Sequence, residues 1–83
     1  MGCVSVIIPA RKERFLNNTI QEVFENFEGD FEIIVTLDGE DAPRMSGVRY
    51  ILNKKSKGMR TAINQAVDIA VGDYIMKLDA HCM

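Results

Sequence analysis

The residue types best suited to chemistry in this 83-residue chain stand near its C-terminal end, where a mostly apolar run over residues 74–78 is followed by Asp79, Ala80 and His81. Residues two apart on an extended segment point to the same side, so Asp79 and His81 can bind one ion together. A carboxylate and an imidazole suit Mn²⁺ or Mg²⁺, and the imidazole favours Mn²⁺. The alternative is an ordinary strand end with two solvated polar side chains.

A second set of candidate residues suits an anion. A basic cluster precedes and enters a predicted helix, where free main-chain N–H groups and the helix dipole favour negative charge; its members are Lys54, Lys55, Lys57 and Arg60. Asp38 ends an apolar run and could accept a hydrogen bond from a nucleobase or a ribose hydroxyl. The alternatives are a solvated basic loop and, for Asp38-Gly39, simple turn chemistry. Together these residues predict a site for a metal-bound diphosphate.

The elements that must position these residues follow from hydrophobic periodicity. Short apolar runs predict strands over residues 4–8, 31–37, 48–52 and 74–78, and apolar residues at helical spacing predict helices over residues 16–27 and 59–70. We expect Pro9 to end the first strand, Gly29 to follow the first helix and Ser56 to be the N-cap of the second.

This order of elements predicts an α/β fold. Buried-type strands separated by helices indicate a four-stranded, mostly parallel sheet, and right-handed crossovers restrict its layout. If the third strand continues outward from the second and the fourth returns to the other side of the first, the strand order is 3-2-1-4 with helices on both faces. Residues 9–13, after the first strand, would then face Asp79 and His81 across the crevice where such sheets bind nucleotides.

Composition limits the other possibilities. Ten basic and twelve acidic residues give a net charge of −2, which argues against nucleic acid or an anionic membrane as the main partner. Apolar runs are too short for a membrane span, and the start of the sequence lacks the pattern of a signal peptide. Two cysteines do not form a disulfide framework. We therefore expect a single soluble, cytoplasmic domain.

Several segments in the expected order carry a family resemblance. They are residues 4–9, residues 32–35 with Asp38-Gly39, Gly58 with Ala62, Asn64 and Ala66, and residues 72–75 with 78–81. Together they resemble the N-terminal half of a family 2 glycosyltransferase with the GT-A fold, whose first half is Rossmann-like. The ending over residues 78–82 is also similar to the Asp-x-His motif of polypeptide N-acetylgalactosaminyltransferases.

The resemblance implies a role for each candidate. The donor would be a nucleotide-diphosphate sugar, as in a UDP-sugar-dependent hexosyltransferase. Asp79 and His81 would bind Mn²⁺ or Mg²⁺ against the donor diphosphate, and Arg60 would approach the pyrophosphate. The uridine would be held by Pro9, Ala10, Arg11, Glu13 and Asp38. The acceptor half of the family lies after the metal motif, so we expect a truncated domain that binds a donor without transferring sugar.

Two other functions remain open at this point. The first is a non-catalytic interaction module that forms a homodimer through the open edge of the fourth strand. The second is a nucleotidyltransferase of related architecture, which is disfavoured because no glycine-rich phosphate loop follows the first strand.

Overall fold

The computed structural model describes residues 2–10, 16–39 and 44–78, together with the backbone but not the side chain of Met59. In chain order, its elements are β1 (Val4–Ala10), α1 (Leu16–Asn26), β2 (Phe31–Asp38), β3 (Val48–Asn53), α2 (Met59–Ile69) and β4 (Tyr74–Lys77). The sequence of strands and helices predicted from periodicity is confirmed.

The four strands of the described chain form one parallel sheet in the order β3-β2-β1-β4, as predicted. In the central pair, Val6 lies opposite Ile33 and Ala10 opposite Leu37. On the outer side of β2, Asp38 lies opposite Asn53. Because the strands are parallel, their carboxyl ends lie at one edge of the sheet, where a site can be built from several of them.

The core is divided between the two faces of the sheet. On one face, alternate residues of β1 and β2, among them Val6, Ile8 and Val35, pack with Leu16 and Ile20 of α1. On the other face, the core contains Ile7, Ile34 and Ala66, the last of which lies on α2. The period-two alternation of strand side chains explains this division, and the helices cover opposite faces as expected.

Pro9 does not end β1, which was the sequence prediction. The strand continues through Pro9, opposite Thr36, to Ala10. In β1, the carbonyl of Ile7 faces β4, where it accepts the N–H of Leu78. Pro9 is two residues further on and faces the same side, beyond the described pairing with β4, so its missing N–H removes no hydrogen bond to β2.

Strand β4 is more exposed than its apolar sequence suggests. Tyr74 is 64% exposed and Ile75 is 49% exposed, and within the described residues β4 pairs with β1 alone. The strand is therefore an open edge of the sheet in this part of the chain. Among the residues described, no helix is both long enough and apolar enough to cross a membrane.

A polar network lies at the end of the sheet where the strands begin, opposite their carboxyl ends. Glu32 accepts hydrogen bonds from the hydroxyl of Ser5 (2.6 Å), the N–H of Val71 (2.7 Å) and the guanidinium of Arg49 (3.2 Å). The hydroxyl of Ser5 in turn accepts the N–H of Gly72 (2.9 Å). This network holds the turn between α2 and β4 and is well separated in the fold from the strand ends.

Candidate functional site

The candidate site lies where the strands end and α2 begins. Asp38 and Asn53 are the last residues of β2 and β3 and are paired in register. Both are buried, with exposed fractions of 0% and 5%. Six residues after Asn53, α2 begins at Met59. A buried acid and a buried amide on adjacent strand ends therefore face the segment that enters α2.

Asp38 is bonded to that segment through both carboxylate oxygens. Oδ1 accepts the side-chain N–H of Asn53 (3.0 Å) and the main-chain N–H of Lys57 (2.8 Å). Oδ2 accepts the hydroxyl of Ser56 (2.7 Å) and the main-chain N–H of Gly58 (3.0 Å). Three of the four donors belong to residues 56–58. We call this set of four hydrogen bonds the Asp38 network.

Further contacts tie the same strand ends together. Asn53 and Gln65 exchange two side-chain hydrogen bonds of 2.7 and 3.1 Å, which link the end of β3 to the middle of α2. Gly39 donates its N–H to the carbonyl of Asn53 at 2.8 Å. A β-carbon on Gly39 would lie 2.9 Å from the main-chain nitrogen of Ser56. Glycine is therefore needed here because two loops meet backbone to backbone.

The Asp38 network keeps the carboxyl group ionised. Burial by itself would raise the pKa of Asp38, since it removes water from the charged form. Hydrogen bonds from the N–H of Lys57, the hydroxyl of Ser56, the amide of Asn53 and the N–H of Gly58 outweigh burial and lower the pKa to about 2. Asp38 is thus a buried anion at the start of α2, where the helix dipole also favours negative charge.

The predicted N-cap of α2 is wrong. Ser56 donates its hydroxyl to Asp38, and the residue at the N-cap is Gly58, which makes no side-chain capping bond. Gly58 has φ = 94°, a conformation that residues with a β-carbon rarely adopt. The sequence suggested Ser56 because serine is a preferred cap, but the nearby carboxylate takes its hydroxyl instead.

The basic cluster lies on the surface around this buried acid. Its four members, Lys54, Lys55, Lys57 and Arg60, are all exposed. Arg60 belongs to the first turn of α2, where main-chain N–H groups lack acceptors within the helix. The structure thus brings the basic cluster and the carboxyl ends of β2 and β3 together.

The other predicted site residues fall into two groups. Pro9 and Ala10 end β1 and are both buried, so they offer little side-chain surface to a ligand. Four residues lie outside the part of the chain that the structure describes: Arg11, Glu13, Asp79 and His81. Their roles remain predictions. The chain is described up to Leu78, whose N–H donates to the carbonyl of Ile7 at 2.8 Å.

Sequence reasoning missed the residues that surround Asp38, above all Asn53 and Gln65. One signal was present for Asn53, which is a polar residue ending an apolar run, as Asp38 is, on what proved to be the adjacent strand. For Gln65, on an otherwise ordinary helix, no signal was present. Over residues 2–10, 16–39 and 44–78, no cluster of three or more His, Cys, Asp or Glu side chains could hold a metal ion.

Comparison with known families decides how this architecture is to be interpreted. The family model described as Glycosyl transferase family 2 matches residues 5–83, which is nearly the whole chain. The chain belongs to glycosyl transferase family 2. A search among curated proteins finds no match for it.

Membership of glycosyl transferase family 2 agrees with the fold. A parallel sheet of order 3-2-1-4 with helices on both faces is consistent with the Rossmann-like half of a GT-A fold. In this family, that half binds the nucleotide-sugar donor. The edge that carries Asp38, Asn53 and the start of α2 is therefore the candidate donor site.

Proposed function

We propose that this chain is the donor-binding half of a metal-dependent glycosyltransferase and that its donor is a UDP-sugar. The observation that carries the proposal is the convergence of the strand ends, the start of α2 and the exposed basic cluster at one edge of a family 2 domain. In open α/β sheets, ligands bind beyond the carboxyl ends of the strands. A diphosphate carries the negative charge that such an edge attracts.

The metal-binding part of the proposal rests on Asp79 and His81. Carboxylate and imidazole groups fit Mn²⁺, or Mg²⁺ with the carboxylate as the stronger ligand. Two protein ligands hold such an ion weakly, so donor oxygens would complete its shell and the ion and donor would bind together. When bound, the ion would neutralise charge that develops on the departing UDP.

The remaining residues would hold the two ends of the donor. Arg60, at the start of α2, would contribute a guanidinium to the diphosphate, for which its planar set of donors is well suited. The end of β1 and the segment after it, with Pro9, Ala10, Arg11 and Glu13, would lie beside the uridine. We propose that the 83-residue chain by itself binds donor without transferring sugar.

Calorimetric titration tests this proposal. UDP is titrated into the native chain with Mn²⁺ and again without it, and uridine with Mn²⁺ is the control ligand. We expect UDP to bind appreciably more tightly with Mn²⁺ present, and uridine to show no dependence on the ion. Failure of millimolar UDP to bind in the presence of Mn²⁺ would contradict the proposal.

The open edge of β4 supports a second candidate function. Val71, Tyr74 and Ile75 are exposed beside this edge, and unpaired strand edges favour association with another strand. A module that dimerises through β4 would sediment as a dimer and would not bind UDP. Sedimentation velocity shows whether the chain dimerises, and the calorimetric titration shows whether it binds UDP. Together they separate the two functions, because the donor-binding half binds UDP whether or not it dimerises.

A further inference from the structure

Among the described candidate residues, Asp38 has the surroundings that least fit the role that the resemblance implies. A residue that contacts a base needs a free acceptor atom facing the ligand. Asp38 has an exposed fraction of 0%, and both of its oxygens already accept two hydrogen bonds each. A direct contact with uridine would require some of these bonds to break, which is costly for a buried charge.

The Asp38 network fixes one segment in particular. Two of its donors are the consecutive main-chain N–H groups of Lys57 and Gly58, and a third is the hydroxyl of Ser56. These residues connect β3 to α2, and the segment passes so close to Gly39 that a β-carbon there would overlap it. The direction in which the chain enters α2 is therefore set by Asp38.

Anchoring of the helix itself does not require this acid. The buried hydroxyl of Thr36 donates to the carbonyl of Ala62 at 3.0 Å, and Ala62 and Ala66 pack against the sheet with exposed fractions of 0%. What Asp38 adds is control of the segment before the helix, which bears Lys57 and leads directly to Arg60.

We propose that Asp38 is a positioning residue: it makes no contact with the donor, and it holds residues 56–58 so that Lys57 and Arg60 are placed for the diphosphate. This role rests on the proposed function. It assigns Asp38 to the phosphate end of the donor, whereas a base-contacting role would assign it to the uridine end.

Asp38→Asn separates these roles with little change in shape. An asparagine has one acceptor oxygen, so the amide group that replaces Oδ2 would face the N–H of Gly58 and that hydrogen bond would be lost. The hydroxyl of Ser56 can rotate to accept from the new amide. We expect UDP with Mn²⁺ to bind about tenfold more weakly to the variant, roughly the effect of one misplaced charged donor. Uridine should bind as it does to the native chain.

Two further variants keep the test independent of folding. Thr36→Val removes the hydrogen bond from Thr36 of β2 to the carbonyl of Ala62 in α2 and is the matched control. It is expected to lower stability while leaving the ratio of UDP to uridine affinity unchanged. Ser56→Ala removes one neutral donor of the Asp38 network and should weaken UDP binding as Asp38→Asn does, but by less. A spectroscopic readout accompanies these titrations: the amide proton of Gly58 should exchange faster in Asp38→Asn and remain protected in Thr36→Val.

A double-mutant cycle with Lys57→Ala completes the experiment. If Asp38 acts through residues 56–58, the loss of UDP affinity in Lys57→Ala should shrink when Asp38→Asn is already present. The positioning role would be overturned if Asp38→Asn weakened UDP binding and uridine binding equally. It would also be overturned if Asp38→Asn and Lys57→Ala had additive effects on UDP affinity. Either result would leave the proposed function intact. No binding of UDP by the native chain would overturn the proposed function and this role with it.

Discussion

The main-chain N–H of Leu78 donates to the carbonyl oxygen of Ile7 over 2.8 Å. This hydrogen bond joins β4 to the middle of the sheet immediately before Asp79 in the sequence. It extends the register in which Ile7 lies opposite Lys77. Leu78, the residue before the predicted metal ligand Asp79, thus lies beside the strand that ends at Pro9 and Ala10.

The first prediction concerns the metal ligands. Replacing both Asp79 by Asn and His81 by Gln should abolish the dependence of UDP binding on Mn²⁺, because the ion would lose both protein ligands. The control is Asp68→Asn, which removes an exposed carboxylate from α2. Calorimetric titration measures both variants. Native Mn²⁺ dependence in the double variant would show that the ion is held elsewhere.

The second prediction concerns the diphosphate. Arg60→Ala should weaken UDP binding about tenfold and reduce its salt dependence, since one cation is lost from the phosphate end. Arg49→Ala is the matched control, because Arg49 contacts Glu32 and the carbonyl of Ile69 at the far end of α2. Titrations at two salt concentrations provide the measurement. Similar losses of UDP affinity in the two variants would indicate a general charge effect and would count against a contact between Arg60 and the diphosphate.

The third prediction concerns acid stability. The folded-state pKa of Asp38 is about 2, below its ordinary value of 3.8, so the unfolded chain binds the proton more readily. The stability from this group is fully present above pH 3.8 and is lost as pH falls toward 2. The free energy of unfolding, measured with urea, should therefore fall between pH 3.8 and pH 2, and the fall should be smaller in Asp38→Asn. Thr36→Val, in contrast, should lower stability without changing this dependence on pH. An identical pH profile in the native chain and Asp38→Asn would contradict the assignment.

The fourth prediction concerns the end of the sheet where the strands begin. In Gly72→Ala, the added β-carbon would lie 2.5 Å from the hydroxyl of Ser5 and 2.8 Å from the carbonyl of Cys3. We expect a loss of about 1–3 kcal/mol in the free energy of unfolding, the usual range for overpacking. Val71→Ala, at a residue that is 77% exposed, should change it by less than about 0.5 kcal/mol. Urea unfolding compares the two, and a Gly72→Ala protein as stable as Val71→Ala would show that this turn can relax.

The fold was predictable because its signals are local. Apolar runs indicated the four strands of the described residues. The right-handed crossover rule restricted their arrangement, and the order 3-2-1-4 followed once the third strand was placed outside the second and the fourth beside the first. The error at Pro9 arose because proline was treated as a strand end, whereas it can continue a strand where its position lies beyond the described pairing with the neighbouring strand. The strand order 3-2-1-4 places β4 at an edge, and the exposure of Tyr74 and Ile75 in the described residues agrees with that prediction.

The site was predictable only in outline. The basic cluster and Asp38 could be found from their positions after predicted strands. The partners of Asp38 could not, because the donors from Lys57 and Gly58 are main-chain N–H groups 19 and 20 residues away, which any residue type except proline would supply. Sequence indicates where an acid stands, but its hydrogen-bond partners decide whether it faces a ligand or the protein.

The central claim is that the carboxyl edge of the sheet binds a nucleotide diphosphate together with a metal ion. It is tested most directly by ¹⁵N NMR titration of the native chain with UDP, with and without Mg²⁺. We predict metal-dependent shifts of the amide signals of Ala10, Gly58, Arg60 and Leu78. The signals of Gly29 and Gly72, at the end of the sheet where the strands begin, should stay unchanged. Absence of these shifts at millimolar UDP and Mg²⁺, or shifts centred on Gly29 and Gly72, would contradict the claim.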